Sequence, residues 1–343
     1  MEFLYEYGLF FTKVFTFVIA VIAIIAAIAG AAHKQKHKKG ELEINDLSEQ
    51  FADVEQYMVE HLLSKDELKQ HDKDLKKKLK GEAKAEKDGA IEAKPRLFVI
   101  DFKGSLDARE VDSLREEISA VLSVATTEDE VLVRVESGGG MVHGYGLASS
   151  QLDRIRQQSI PLTISVDKVA ASGGYMMACV ADKIISAPFA ILGSIGVIAQ
   201  IPNFHKLLKK SNIEFEQLTA GEYKRTLTMF GENTDKGREK FVEELEETHV
   251  LFKDFVSEHR PSLDINKVAT GEHWFGLKAK ELGLVDEIQT SDDYLHNAAK
   301  KAKVISVKYS LKKGFAEKFS KAASLSIEQT VNKLWQNNRI FPS

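Results

Sequence analysis

The chain has 343 residues, of which 43% are hydrophobic and 29% charged, with a net charge of −4. That composition supplies one globular core of roughly 200 residues plus accessory segments, and it excludes a global field that would draw the protein to nucleic acid. Cys179 is the single cysteine, which excludes an intramolecular disulfide framework and a cysteine-based zinc site.

Val14 to Ala32 carries no charge. At a rise of about 1.5 Å per residue this stretch spans roughly the ~30 Å hydrocarbon core of a bilayer. Glu2 and Glu6 precede it, and the basic run His33 to Lys39 follows it. A secretory signal has the opposite order, with basic residues first. We therefore expect residues 1–40 to be an uncleaved, lipid-contacting membrane anchor, and the basic flank places the bulk of the chain in the cytoplasm. Residues 41–95 read as a charged spacer. Leu47, Phe51, Val54, Tyr57, Met58 and Leu62 have helical spacing, and a Lys/Glu/Ala-rich run follows that is either a solvated helix or disordered.

Residues 96–300 read as α/β. Short apolar strands (Arg96 to Phe102, Val131 to Ser137, Pro161 to Lys168) alternate with helical spacing over Val111 to Ala125 and Tyr145 to Gln157, which predicts parallel pairing with crossover helices. A further strand is expected over Phe215 to Leu218 and a long amphipathic helix over Asp235 to His259. Residues 301–343 are expected to be a C-terminal helical extension, with weak amphipathic spacing from Leu311 to Asn337.

Two glycine turns carry the chemistry. Glu136 to Val142 (ESGGGMV) follows one predicted strand and Ala171 to Tyr175 (ASGGY) follows the next. In one parallel sheet both would emerge at the carboxyl edge, where ligands bind. Their backbone N–H groups are unobstructed, and the second turn opens a helix whose N-terminus favours an anion. No phosphate-loop or dinucleotide fingerprint is present. Ser172 is then either a helix N-cap or a nucleophile, with the Gly173 N–H beside it as an oxyanion donor.

A serine nucleophile needs a base. Of the ten histidines, four lie in the anchor and spacer, and none falls between Ser172 and His205. His143 follows the first turn but has no evident orienting acid, so no Ser/His/Asp set assembles. Lysine is the alternative. It serves as a base only when neutral, which requires desolvation or neighbouring positive charge. Lys224, between Tyr223 and Arg225 in a glycine-flanked segment, is a candidate, and a solvated surface lysine is the plainer reading of the same residue.

The ordered set SGGG, ASGGY, GSIGV, GEYK and ATGEHWFGLKAKELGLVDEI, over about residues 96 to 290, resembles the S49 family of serine peptidases, the signal peptide peptidase A group. The resemblance implies a ClpP/crotonase-like fold, a spiral of ββα units. It implies a Ser/Lys dyad with Ser172 as nucleophile and Lys224 as general base, and an oxyanion hole from the N–H groups of Gly173 and of Gly139 or Gly140. It also implies no cofactor, peptide or unfolded-protein substrates (signal-peptide-like polypeptides among them), and a homo-oligomer in which serine and lysine meet across a subunit boundary. A bacterial inner-membrane location follows, with the catalytic domain on the extracytoplasmic side, against the cytoplasmic placement drawn from the basic flank. Two departures stand out. Gly138 occupies the place of a usual proline, and Arg225 follows the lysine where serine is frequent. The residues alone leave two rivals: an acyl-CoA enzyme on a crotonase-like fold, and a non-catalytic membrane scaffold.

Overall fold

In the computed structural model the strands are β1 (Glu41–Asp46), β2 (Arg96–Lys103), β3 (Glu130–Glu136), β4 (Leu162–Val166), β5 (Val169–Ala171), β6 (Lys183–Ser186), β7 (Ile191–Gly193), β8 (His273–Phe275), β9 (Glu287–Ile288) and β10 (Lys303–Ser310). The helices are α1 (Leu47–Leu62), α2 (Lys65–Lys87), α3 (Val111–Leu122), α4 (Val142–Gln157), α5 (Gly173–Ala178), α6 (His205–Lys210), α7 (Asp235–His259), α8 (Ile265–Val268), α9 (Gly276–Glu281) and α10 (Ser291–Ala299). The structure describes residues 8, 10–19, 40–87 and 94–310. Residues 42–309 make one compact unit.

The main sheet runs β1-β10-β2-β3-β4-β6-β9, with parallel register from β10 through to β9. Its central strands are continuous apolar runs because both faces are covered. Phe98, Ile100, Val131, Val133 and Ile164 pack into the large core with Leu114 and Ile118 of α3 and Leu152 and Ile155 of α4. Leu97, Val99, Leu132 and Val304 form a smaller cluster with Leu295 of α10. A second sheet, β5-β7-β8, lies beside the first, and an isolated bridge between Ser137 and Ala170 ties the two together.

Several expectations change here. The spacer is not wholly detached: β1 lies at the edge of the main sheet, and Leu47 and Phe51 pack on its smaller core. Lys303 pairs with Asp46 at 3.0 Å, and the Val304 N–H donates to Ser48 at 2.8 Å. Only the start of the apolar stripe is used, since Val54, Tyr57, Met58 and Leu62 stay exposed. Residues 303–310, expected to begin a helical extension, are strand β10, which continues the sheet past residue 300 because Val304 and Val307 are buried there. Residues 215–218 form no strand, for no neighbouring chain offers them a ladder. The rest of the expected C-terminal helix lies outside the described residues. So does most of the expected anchor. Residues 10–19 are helical, and among the described residues no helix is long and apolar enough to cross a membrane.

Candidate active site

The two glycine turns leave different sheets, a correction to the single edge expected. The first follows β3 of the main sheet. The second follows β5 of the small sheet, because Asp167 and Lys168 break the run after β4 and Val169–Ala171 pairs with β7 instead. The bridge between Ser137 and Ala170 brings the turns face to face.

Ser172 sits at the junction of β5 and α5 with φ 52° and ψ −119°, and its side chain makes no capping bond. A non-glycine residue in that conformation costs of order 1–3 kcal/mol and persists only where the surroundings enforce it. Here the Ser172 N–H donates to the Gly193 carbonyl at 2.8 Å, and the Ser172 carbonyl accepts from Met176 at 2.9 Å. Every residue of α5 is buried. Burial pushes the Tyr175 phenol and the Cys179 thiol well above their ordinary ranges, so both stay neutral. The Tyr175 hydroxyl donates to the Leu284 carbonyl at 3.1 Å, and Arg260 holds the same turn through Gly283 at 3.0 Å and Asp286 at 2.7 Å. The helix behind Ser172 is thus anchored at both its start and its flank, while the serine hydroxyl is left without a hydrogen-bond partner among the described residues.

Gly139 is the residue of the first turn pressed against this junction. Its φ is 86°, and a Cβ there would stand 2.7 Å from the Gly173 nitrogen and 2.7 Å from the Ser172 Cβ, so only glycine fits. Its own N–H donates to Ser137 Oγ at 3.1 Å. Gly140 lies against the Leu106 carbonyl. Among the described residues no acceptor takes the N–H of Gly140 or of Gly173, the latter being the first amide of a helix and so without an intrahelical partner. Gly138 has neither crowding nor a positive φ; steric demand does not explain its standing where proline was expected.

Lys224 is brought to none of these groups by a hydrogen bond. It is exposed, and its backbone N–H donates to Gly221 at 3.3 Å. Among the described residues its side chain has no hydrogen bond or ion pair, and Arg225 is likewise exposed. The segment carrying both is tied to α7 by Glu222–Lys236 at 2.6 Å and by Lys236 and Lys240 over the Tyr223 ring at 5.8 and 5.7 Å. His143 is exposed. His273 stands in the row of Ala171 and Gly193 across the small sheet, yet it makes no bond to Ser172. Tyr145 and Ser137, which pack beneath the glycine turns, were not singled out by sequence. The signal available was a tyrosine set between two glycines, Gly144 and Gly146, just past the first turn.

A strained serine with a free hydroxyl, beside unpartnered backbone amides at a helix start, is an arrangement suited to acyl transfer. The comparisons give the chain a family. Residues 154–305 match peptidase family S49, and residues 2–152 match the N-terminal region of peptidase family S49. The chain is 52% identical over 334 residues to "Probable protease SohB" of Haemophilus influenzae, covering 95% of each chain. It is 49% identical to "Probable protease SohB" of Buchnera aphidicola subsp. Acyrthosiphon pisum, covering 98% of each. Two solved structures of the 1510-N membrane-bound stomatin-specific protease are also similar. They have TM-scores of 0.38 and 0.42 and 16% and 13% identity, covering 60% and 66% of this chain and 85% and 97% of theirs. The chain belongs to peptidase family S49, and it is a peptidase with an α/β fold.

Proposed function

We propose that the protein is a membrane-anchored serine endopeptidase that cleaves unfolded or signal-peptide-like polypeptides through an acyl-enzyme. The observation that carries this reading is the unpartnered hydroxyl of Ser172 on its strained turn, beside the unpartnered amides of Gly173 and Gly140. In the first step Ser172 Oγ bonds to the scissile carbonyl carbon, and its proton passes to neutral Lys224. The carbonyl oxygen gains the electron pair and is held by the two amides. Collapse breaks the C–N bond, and the lysine ammonium gives its proton to the departing amine. Water then repeats the sequence on the ester. Neither a metal nor a cofactor enters any step.

The dyad is completed between subunits. Lys224 projects from residues 197–234, where Ile198, Leu207, Phe215 and Leu218 are exposed, Leu218 by 92%. Apolar surface of this kind on a folded chain favours a partner, and a second copy both covers it and brings Lys224 of the partner subunit to Ser172. The apolar run from Val14 to Ala32 supplies the membrane attachment, and the inner membrane of a bacterium is the compartment proposed.

Mixing tests the proposal. Ser172→Ala and Lys224→Ala proteins are each expected to be inactive on an unfolded peptide, and co-assembled mixtures to recover part of the wild-type rate. Mixtures that stay inactive place the two residues in one chain. Activity surviving in Ser172→Ala removes the serine mechanism altogether.

A further inference from the structure

The amides on either side of the strained serine are held by one buried side chain. Tyr145 of α4 is fully buried. Its ring lies under Gly173, close enough that a Cβ on that glycine would stand 2.4 Å from the ring. Its hydroxyl donates to the Ser105 carbonyl at 2.8 Å and lies 2.5 Å from Ser137 Oγ. A phenol has one proton, and the Ser105 carbonyl takes it. Ser137 must then donate to the Tyr145 oxygen, which leaves the Ser137 lone pairs to accept the Gly139 N–H at 3.1 Å. The directions are fixed from end to end: Gly139 N–H to Ser137, Ser137 O–H to Tyr145, Tyr145 O–H to Ser105.

The far end of this chain is also anchored. Ser105 donates its N–H to Glu110 at 3.0 Å, and its hydroxyl lies 2.7 Å from Asp107. Desolvation raises the phenol above its ordinary value, and the nearby carboxylates of Glu110 and Asp107 add to that, so Tyr145 remains a donor. Hydrogen bonds in such a run polarise one another in a buried setting. Gly174 presses on the Ser137 carbonyl from the other side, where a Cβ would stand at 2.5 Å.

We propose that Tyr145 is a positioning residue for the oxyanion hole. Its ring sets the Gly173 amide, and its hydroxyl, acting through Ser137, sets the peptide planes of the Gly139–Gly140 turn. Tyr145 touches neither substrate nor the reacting atoms; its effect falls on the geometry that is used most fully when the carbonyl oxygen carries charge. The inference rests on the serine-peptidase reading above.

The test uses the full-length protein with an unfolded peptide substrate and a peptide aldehyde, whose hemiacetal with serine places an oxyanion in the same hole. Tyr145→Phe keeps the ring and removes the hydroxyl; Ser137→Ala removes the middle of the chain and leaves Tyr145 in place. Each is expected to lower kcat by roughly tenfold or more, since losing one oxyanion donor outright costs about 10²–10³. KM should stay within about twofold, aldehyde affinity should fall by the same factor as kcat/KM, and the double variant should lose little beyond either single one. A general structural role would lower thermal stability and raise KM together, without that match. Wild-type kcat in Ser137→Ala overturns the proposal even if Tyr145→Phe folds poorly. Ser172→Ala separates the two levels. If it is inactive while Tyr145→Phe and Ser137→Ala keep the wild-type rate, the positioning role alone fails. If it is active, the serine mechanism fails and the positioning role with it.

Discussion

The half of the molecule that carries Ser172 and the half that carries Lys224 are built on opposite principles. Around Ser172, α5 is wholly buried, its Tyr175 fully enclosed and Tyr145 of α4 fully enclosed beside it. Interiors packed in this way hold a strained residue because no neighbour can relax. Around Lys224, residues 197–234 contain no buried side chain. That segment is held by Phe204, Phe215 and Phe230 with ring centroids 5.7 to 6.0 Å apart, by Asn203 reaching the Thr228 and Gly231 carbonyls at 2.9 and 3.0 Å, and by the ties to α7. The contrast fits the proposed dyad, in which Ser172 needs fixed geometry and Lys224 must stay presented until a second copy arrives.

The largest expected effects break that comparison at its two ends. Ser172→Ala and Lys224→Ala should each lower peptidase activity by at least ~10³-fold. Their stabilities should diverge from their activities: Lys224 is exposed and unpaired, so its replacement should change unfolding free energy by no more than about 0.5 kcal/mol. Urea unfolding beside a peptide-cleavage assay checks both. A large stability loss in Lys224→Ala would show that the lysine is part of the packed half.

Gly139→Ala comes next. The new methyl must enter 2.7 Å from Gly173 N and Ser172 Cβ at φ 86°. We expect a rate loss of roughly 10²-fold, comparable to removing an oxyanion donor, with about 1–3 kcal/mol of lost stability. The matched change Gly138→Ala has open space and should be near neutral in both assays. On the open half, Leu218→Glu should leave the stability of the dilute chain within about 0.5 kcal/mol while lowering self-association in sedimentation. Activity should fall with the assembled fraction.

Much of the packed half was legible in the sequence because burial on both faces writes a simple pattern. Arg96 to Phe102 and Val131 to Ser137 read as strands from their short, largely apolar runs, and they correspond to β2 and β3. Asp235 to His259 is α7 as its spacing predicted, with Thr234 capping its start by accepting from Gly237 at 3.1 Å. The separate sheet of Ser172 was not legible: Val169–Ala171 is three residues long, and nothing local says that it pairs with Ile191–Gly193 rather than extending β4. Phe215 to Leu218 was expected as a strand, but among the described residues the segment joins neither sheet. Lys224 was a candidate from its glycine-flanked segment and received its role from the family resemblance; among the described residues nothing in its contacts singles it out. Tyr145 was missed because its meaning is tertiary: eight positions past Ser137 it returns beneath the turn, and spacing alone cannot show that return.

The smallest effect concerns the packed half alone and leaves the site out. Glu117 of α3 is 4% exposed and accepts the Tyr309 N–H of β10 at 2.7 Å. Desolvation raises its carboxyl from 4.5 to about 7, the Tyr309 hydrogen bond opposes that rise, and the Asp101 charge adds to it while Lys308 subtracts. A carboxyl whose folded value lies above its unfolded one binds more protons when folded. Its contribution is therefore fully present below about pH 4.5 and is lost as pH rises through about 7. Glu117→Gln keeps the acceptor and removes the titration. The variant should show a smaller loss of melting temperature than the wild type between those two pH values, by a few degrees at most, and the same activity at any pH where both are folded. An unchanged stability profile would place the charged carboxylate in water. A changed pH–rate profile would couple the edge strand β10 to the serine turn, and the packed half would then be less independent of the site than its two separate sheets imply.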